Sequence, residues 1–266
     1  MSQPTWLEIT RGELPLVLSF PHTGTGIPDE VLPGIKDKEL ALRDTDWWVE
    51  QLYGFAAGMG ATMVRSGISR TVIDLNRDPS GASLYPGQAT TGLCPIETFD
   101  GLPLYKPGQE PDEIEIERRL KTYYQPYHDA LAAEIERLRK KFGKVVLYDC
   151  HSIRSVVPRL FEGELPVFNI GTNSGASCDP ALTAVVENAC DASRFNRTTN
   201  GRFKGGWITR HYGQPATGVH AVQMELSHRG YMDEIESSTP KPFDPARAAE
   251  MQSALTRIFS DILAWI

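Results

Sequence analysis

The sequence lacks the features that mark three classes of protein. Its four cysteines, Cys94, Cys150, Cys178 and Cys190, include no CxxC pair, and a chain of this length does not need a disulfide framework. No apolar run approaches the roughly 18 residues that a membrane-spanning helix requires. The first residues show no basic segment followed by an apolar one, so we expect no secretory signal. These absences favour a soluble protein of the reducing cytoplasm.

Positive charge is also scarce. Lysine and arginine total 27 residues against 34 aspartates and glutamates, which gives a formal net charge of −7. Phosphate groups repel an acidic chain, so neither nucleic acid nor a membrane is expected as a partner. A local basic pocket for a small anion is compatible with this charge, and the sequence does not indicate an oligomeric state.

Apolar segments of the chain alternate between strand and helix patterns. Short apolar runs predict strands, and apolar residues three or four positions apart predict helices. The predicted strands are 14–20, 61–66, 70–75, 144–149, 166–172 and 220–226, with a short one within 205–213, and the predicted helices are 44–57, 112–141, 180–191 and one that begins at Asp244 and Pro245. This alternation predicts a single three-layer α/β domain over residues 1–266. Pro126 should kink the long helix.

Polar side chains follow the predicted strands. His22, Asn76, His151 and Glu225 each lie at or just past the end of one. Ligands of α/β folds bind outside the carboxyl ends of the strands, so we expect these side chains to meet at one edge of the sheet. Residues 76–110, rich in glycine and proline, are expected to form a long loop that walls a substrate site.

Two of these residues suit a catalytic metal site. Such a zinc site takes three protein ligands from histidine and acidic residues and keeps one position open. His22 and His151 supply two, and the third is Asp44 or Asp46. Asp44 suits the N-cap of the helix predicted over 44–57, which leaves Asp46 free to point at the metal, so we prefer Asp46.

Glu225 is the candidate general base. A carboxylate late in an apolar strand costs free energy unless it is paired or functional. The alternative interpretation is that Glu225 caps the strand in an ion pair with Arg229 or another arginine. A Cys150–His151 dyad is not expected, because neighbours on a strand point to opposite faces.

Arginines near the predicted strand ends suit an acidic substrate. A guanidinium binds a carboxylate through two parallel hydrogen bonds, so Arg77 beside the amide of Asn76 can hold one carboxylate. Arg70 stands at the start of the strand predicted over 70–75. Arg210 and Tyr212 are further candidates for contact with the substrate.

Several segments together resemble one known family. The segments SFPHTGTGIP, RDTDWW, SRTVIDLNRDPSG, LYDCHS, NIGTNSG, NGRFKGGWITRHYG and VQMELSHRGYMDE are similar to those of the N-formylglutamate amidohydrolases, over about residues 14–233. The resemblance implies a mixed central sheet between helical layers, related to the fold of the zinc carboxypeptidases. The carboxypeptidase order of histidine, acidic ligand, arginine, Asn-Arg pair, histidine and glutamate corresponds here to His22, Asp46, Arg70, Asn76-Arg77, His151 and Glu225. One departure is that carboxypeptidases carry the acidic ligand three residues after the first histidine, where this chain has Thr25.

The resemblance implies a metal-dependent amide hydrolysis. N-formyl-L-glutamate would yield formate and L-glutamate, a step of histidine breakdown, with zinc or else cobalt, manganese or iron as the metal. In this hypothesis Glu225 is the base, Arg70 stabilises the oxyanion with the metal, and Arg210 holds the second carboxylate. Two alternatives stay open: a related deacylase of other N-acyl amino acids, and a metal-dependent binding protein without turnover.

Overall fold

A mixed sheet forms the centre of the structure. The structure, a computed structural model, describes residues 4–84, 87, 89–234 and 240–266. Within them the seven strands of the sheet are β1 (Leu7–Thr10), β2 (Leu16–Phe20), β3 (Thr62–Ser66), β4 (Val145–Ile153), β5 (Phe168–Gly171), β6 (Arg197–Thr199) and β7 (Val219–Ser227). Their order is β1-β3-β2-β4-β7-β5-β6. The four central strands are parallel, whereas β1 runs antiparallel to β3 and β5 antiparallel to β7.

Helices cover both faces of this sheet. They are α1 (Lys38–Ala41), α2 (Val49–Leu52), α3 (Phe55–Gly58), α4 (Glu113–Arg119), α5 (Gln125–Phe142), α6 (Pro180–Asp191), α7 (Trp207–Tyr212) and α8 (Pro245–Trp265). Alternate residues of β4 separate two cores: Val146 and Tyr148 pack with α2, α6 and α8, and Val145 and Leu147 pack with α5. The predicted three-layer α/β architecture with a mixed sheet is confirmed. None of the described helices combines the length and apolarity needed to cross a membrane.

The strand predicted over 70–75 is wrong. The segment is buried, but its backbone bonds to side chains and to loop backbone instead of to a neighbouring strand. Arg119 donates to the carbonyl of Val72, a ring nitrogen of His128 lies 2.9 Å from the carbonyl of Leu75, and the N–H of Asp74 donates to the carbonyl of Leu93. Because these contacts satisfy the backbone, the apolar run needs no sheet partner.

Two other predicted elements, one helix and one strand, also differ from the structure. Instead of one helix over 44–57, α2 and α3 form short successive turns, and the first begins after Trp48, whose φ of 64° is left-handed. The short strand expected within 205–213 is helix α7, whose first turn is capped by a distant side chain: the N–H of Ile208 donates to Oδ1 of Asn76 at 2.8 Å. A cap of this kind has no local signal in the sequence.

A π-helical turn, Leu120–Tyr124, lies where Pro126 was expected to kink the long helix. It connects α4 to α5, and the N–H of Gln125 bonds back to the carbonyl of Leu120. Proline lacks the N–H that an α-helix would use here and clashes with the preceding turn, so one wider turn accommodates it. The short edge strands β1 and β6 were not predicted, because neither contains an apolar run.

Phe259 on α8 should be among the largest single contributors to stability. Its buried ring packs on Tyr53, Phe55 and Tyr148, with ring centroids 5.7, 5.7 and 4.9 Å away. We expect Phe259→Ala to lower the free energy of unfolding by about 3–5 kcal/mol, because buried apolar surface is lost and a cavity is left. Urea titration measures this difference. The control Arg257→Ala removes an exposed side chain of the same helix and should cost about 0.5 kcal/mol or less. Equal effects of the two changes would contradict this packing.

Candidate metal and substrate site

Three buried side chains converge at the carboxyl end of the central strands. His22 follows β2, His151 lies in β4, and Asp46 lies in the loop before α2. Oδ2 of Asp46 is 3.1 Å from Nδ1 of His151 and 3.7 Å from Nδ1 of His22. In the described part of the chain these three residues form the one group of histidine, cysteine and acidic side chains with the geometry to hold a metal ion, with ligand atoms within 4.8 Å of one another.

Two further carboxylates orient the imidazoles from behind. Oδ1 of Asp74 lies 2.7 Å from Nε2 of His22, and Oδ2 of Asp149 lies 3.0 Å from Nε2 of His151. A carboxylate at Nε2 fixes the proton there, which directs the Nδ1 lone pairs toward Asp46. Both histidines therefore present the nitrogen that a metal requires.

Arg70 offsets part of the negative charge of this cluster. Arg70 donates to Oδ1 of Asp46 at 3.3 Å and to Oδ2 of Asp74 at 2.9 Å. Burial alone would raise the pKa of Asp46, but the adjacent imidazoles of His151 and His22 hold it below its usual range. Burial would likewise lower the pKa of His151, yet Asp149 and Asp46 hold it well above its usual value. The site therefore favours positive charge between the imidazoles and Asp46.

Asp44, the alternative third ligand, has a different role. Its Oδ2 accepts the backbone N–H of Phe99 at 2.7 Å, and its Oδ1 faces Arg154 at 3.6 Å. No helix begins at Asp44, so the predicted N-cap is wrong. The carboxylate instead holds the turn that carries Phe99, whose ring lies under the Arg70 guanidinium at 4.7 Å.

Glu225 lies beside this group because of strand register. Glu225 of β7 pairs with His151 of β4, and adjacent strands are about 4.8 Å apart. Nε2 of Gln223 donates to Oε2 of Glu225 at 3.3 Å, while Oε1 of Gln223 accepts the N–H of Gly206. Burial raises the pKa of Glu225 to about 8. Among the described residues, Arg229 pairs with Glu164 instead of Glu225.

A cavity opens above these side chains. Its volume, including the open mouth, is about 570 Å³, and His22, His151 and Glu225 lie on its lining. Three arginines, Arg70, Arg77 and Arg202, line it, and Glu225 is the one carboxylate among the described lining residues. A cavity of this composition in an acidic protein attracts small anions.

Asn76 and Arg77 both reach this cavity. Arg77 is held by the backbone carbonyl of Thr91 at 2.9 Å and its hydroxyl at 3.1 Å. Nδ2 of Asn76 donates to Oδ2 of Asp149 at 3.2 Å and lies 3.0 Å from Nε2 of His151. Because Asp149 holds the proton on that Nε2, Asn76 supports His151 through the carboxylate of Asp149, while its Oδ1 caps α7.

The structure places the other two predicted substrate contacts elsewhere. Arg210 donates to the carbonyls of Gly205 and Leu84, and the hydroxyl of Tyr212 lies 3.0 Å from Nδ1 of His128. Neither belongs to the cavity lining in the described residues.

Sequence reasoning missed several residues of this site. Asp149 stands two positions before His151, and Gln223 stands two positions before Glu225. Because side chains alternate along a strand, each shares a face with the residue it precedes. This two-residue repeat is a sequence signal from which both could have been predicted. Asp74 and Arg202 lie outside regular strands, and their positions depend on tertiary contacts that no local pattern reveals.

Removing the charge of Asp149 should weaken metal binding. In Asp149→Asn the amide can present its NH₂ group to His151. Nε2 of His151 then no longer needs to carry the proton, and Nδ1 is no longer fixed as the nitrogen that faces the metal. We expect metal affinity to fall about 10–100-fold, measured by competition with a chromophoric zinc chelator. The control Asp129→Asn changes an exposed aspartate of α5 and should leave affinity unchanged. Equal affinities of the two variants would refute the orienting role.

Comparisons with known proteins assign the chain to one family. A family model described as N-formylglutamate amidohydrolase matches residues 14–232. Proteins named N-formylglutamate deformylase from Pseudomonas putida and Pseudomonas aeruginosa are each 46% identical over 260 residues, which covers 97% of this chain and 96% of theirs. The crystal structure of an N-formylglutamate amidohydrolase from Ralstonia eutropha JMP134 has a TM-score of 0.81 and 26% identity, covering 98% of this chain and 97% of that one. This chain belongs to the N-formylglutamate amidohydrolase family.

Proposed function

We propose that the protein hydrolyses N-formyl-L-glutamate to formate and L-glutamate. The observation that carries the proposal is a buried glutamate, Glu225, beside a His/Asp/His group on the lining of an arginine-lined cavity. The two relatives that are 46% identical carry the name of this activity. A small acidic amide fits both the charge and the volume of the cavity.

A divalent metal fits His22, Asp46 and His151, and zinc is our proposal for its identity. Nδ1 of His22 is buried and has no hydrogen-bond partner among the described residues. With both Nε2 atoms facing carboxylates, two nitrogen lone pairs and a carboxylate oxygen face one another, an arrangement that a cation stabilises. Two imidazoles and one carboxylate suit zinc, and also cobalt, manganese or iron. When bound, the ion would polarise the formyl carbonyl and acidify a water.

Glu225 supplies the proton transfers in this proposal. Its carboxylate accepts a proton from the attacking water as the C–O bond forms, and then donates that proton to the leaving nitrogen as the C–N bond breaks. Gln223 holds the carboxylate in place through the bond to Oε2. A pKa raised by burial suits a group that must both take up and release a proton near neutral pH.

The arginines recognise the anionic groups of the substrate. Arg77, fixed by its two bonds to Thr91, binds a carboxylate of the glutamyl part. Arg70 balances Asp46 and Asp74, and its guanidinium on the cavity wall stabilises charge that develops on the formyl oxygen. Asn76 acts through His151.

The physiological setting is proposed from the same features. Release of glutamate from its formyl derivative is the step of histidine breakdown that the family resemblance implies. The four cysteines are buried and unpaired, which suits the reducing cytoplasm.

Turnover should depend on Glu225 and on a chelatable metal. Wild-type protein should release formate from N-formyl-L-glutamate and lose this activity on dialysis against a chelator. Glu225→Gln should keep its bound metal and lose about 10²–10⁴-fold in kcat, because the amide cannot accept the proton. Formate assay and metal analysis measure both quantities.

The control for this experiment is Glu250→Gln, a change at an exposed glutamate of α8. It should match wild type. Near-normal kcat in Glu225→Gln would remove Glu225 from the mechanism, and wild-type activity that survives complete metal removal would refute the metal-dependent reaction.

A further inference from the structure

The hydroxyl of Tyr231 contacts the chain neighbours of two proposed metal ligands. Tyr231 lies just after β7, is fully buried, and does not belong to the cavity lining in the described residues. Its hydroxyl donates to the carbonyl of Trp47 at 2.7 Å and lies 2.9 Å from Oγ of Ser152. Trp47 follows Asp46 in the chain, and Ser152 follows His151. One hydroxyl therefore connects the loop of one ligand to the strand of another.

Ser152 joins the same two segments through its backbone. The pairing of β2 with β4 ends at Ser19 and Asp149, so the N–H of Ser152 lies past the last pair. This N–H donates instead to Oδ2 of Asp46 at 3.1 Å. The Oγ of Ser152 also lies 3.2 Å from Nε2 of His228. The side chain and the backbone of Ser152 thus both connect β4 to other segments around the metal group.

Asp46 depends on such contacts because it lies in a loop, whereas His151 lies in a central strand. Loops are more mobile than the strands that they connect. The N–H of Asp46 donates to the carbonyl of His22 at 3.1 Å, which holds the loop beside the first histidine. The hydroxyl of Tyr231 holds the next residue of the loop against the strand of the second histidine. Ligands that are already in position bind a metal more tightly than ligands that must first be ordered.

We propose that Tyr231 is a positioning residue of the metal site, whose hydroxyl ties the loop of Asp46 to the strand of His151 and so raises metal affinity. This inference rests on the proposed function, because it requires a metal ion at His22, Asp46 and His151. Tyr231 takes no part in the reaction. Its role therefore affects the affinity for the metal and leaves turnover by the metal-loaded protein unchanged.

The test removes a single oxygen atom. Tyr231→Phe keeps the buried ring and loses both contacts of the hydroxyl. We expect zinc affinity to fall about 3–10-fold, the equivalent of one typical hydrogen bond, measured by competition with a chromophoric chelator. At saturating zinc, kcat and KM for N-formyl-L-glutamate should stay within about twofold of wild type, because no interaction with the transition state is lost.

The matched control is Tyr123→Phe. The hydroxyl of Tyr123 donates to Glu30 at 3.0 Å, so this change also removes one tyrosine hydrogen bond, but one that does not involve the metal group. Its zinc affinity should equal that of wild type. Urea titration of both variants without metal measures how much stability each hydroxyl contributes.

Ser152→Ala tests the same connection from its other end, and it also serves if Tyr231→Phe folds poorly. It removes Oγ and keeps the backbone N–H that binds Asp46. We expect a lower zinc affinity here as well. The double variant should bind zinc about as weakly as Tyr231→Phe alone, because the connection is already broken and the two losses do not add.

Four results would overturn the proposal. Unchanged zinc affinity in Tyr231→Phe, with only its stability lowered, would make the hydroxyl a purely structural group. An equal loss of affinity in Tyr123→Phe would make the effect unspecific. A lower kcat at saturating zinc would give the hydroxyl a part in the reaction, and additive losses in the double variant would show two independent effects. Wild-type protein that binds no divalent metal is a different failure, because it refutes the proposed metal site itself and this inference with it.

Discussion

The site depends on Asp46, which holds two buried imidazoles and an arginine together. Its Oδ2 faces Nδ1 of His151 and Nδ1 of His22, while its Oδ1 accepts from Arg70. Three atoms with lone pairs do not approach one another in a buried place unless positive charge lies between them. The contacts that favour a cation at this point are therefore the same contacts that compensate the buried carboxylate of Asp46.

The sheet fixes the positions of His151 and Glu225, whereas connecting segments carry the arginines of the cavity. His151 and Glu225 face each other on adjacent parallel strands, and a register shift of one residue would turn Glu225 to the opposite face. Arg77, Arg202 and Phe99 lie on connecting segments. Loops tolerate substitution better than central strands, so the fold constrains His151 and Glu225 more than it constrains the arginines of the cavity.

The sequence predicted the site well where local patterns decide position. His22, His151 and Glu225 lie near the ends of apolar runs, and such runs form parallel strands whose carboxyl ends share an edge. Prediction from the sequence failed where contacts between distant residues decide the conformation. Residues 70–75 have the composition of a strand, yet Arg119 and His128 satisfy their backbone. Helix α7 depends on a cap by Asn76, 132 residues away, and no local pattern in the sequence indicates that cap.

Asn76 links helix α7 to the strand residues of the site. Its Oδ1 caps α7, and its Nδ2 contacts Asp149 and His151. Gly206, at the start of α7, lies so close that an added Cβ would be 2.4 Å from Nδ2 of Asn76, and its N–H bonds to Gln223, the partner of Glu225. The backbone at Gly206 therefore contacts Asn76, which supports His151, and Gln223, which holds Glu225. A displacement of α7 would disturb His151 and Glu225 together.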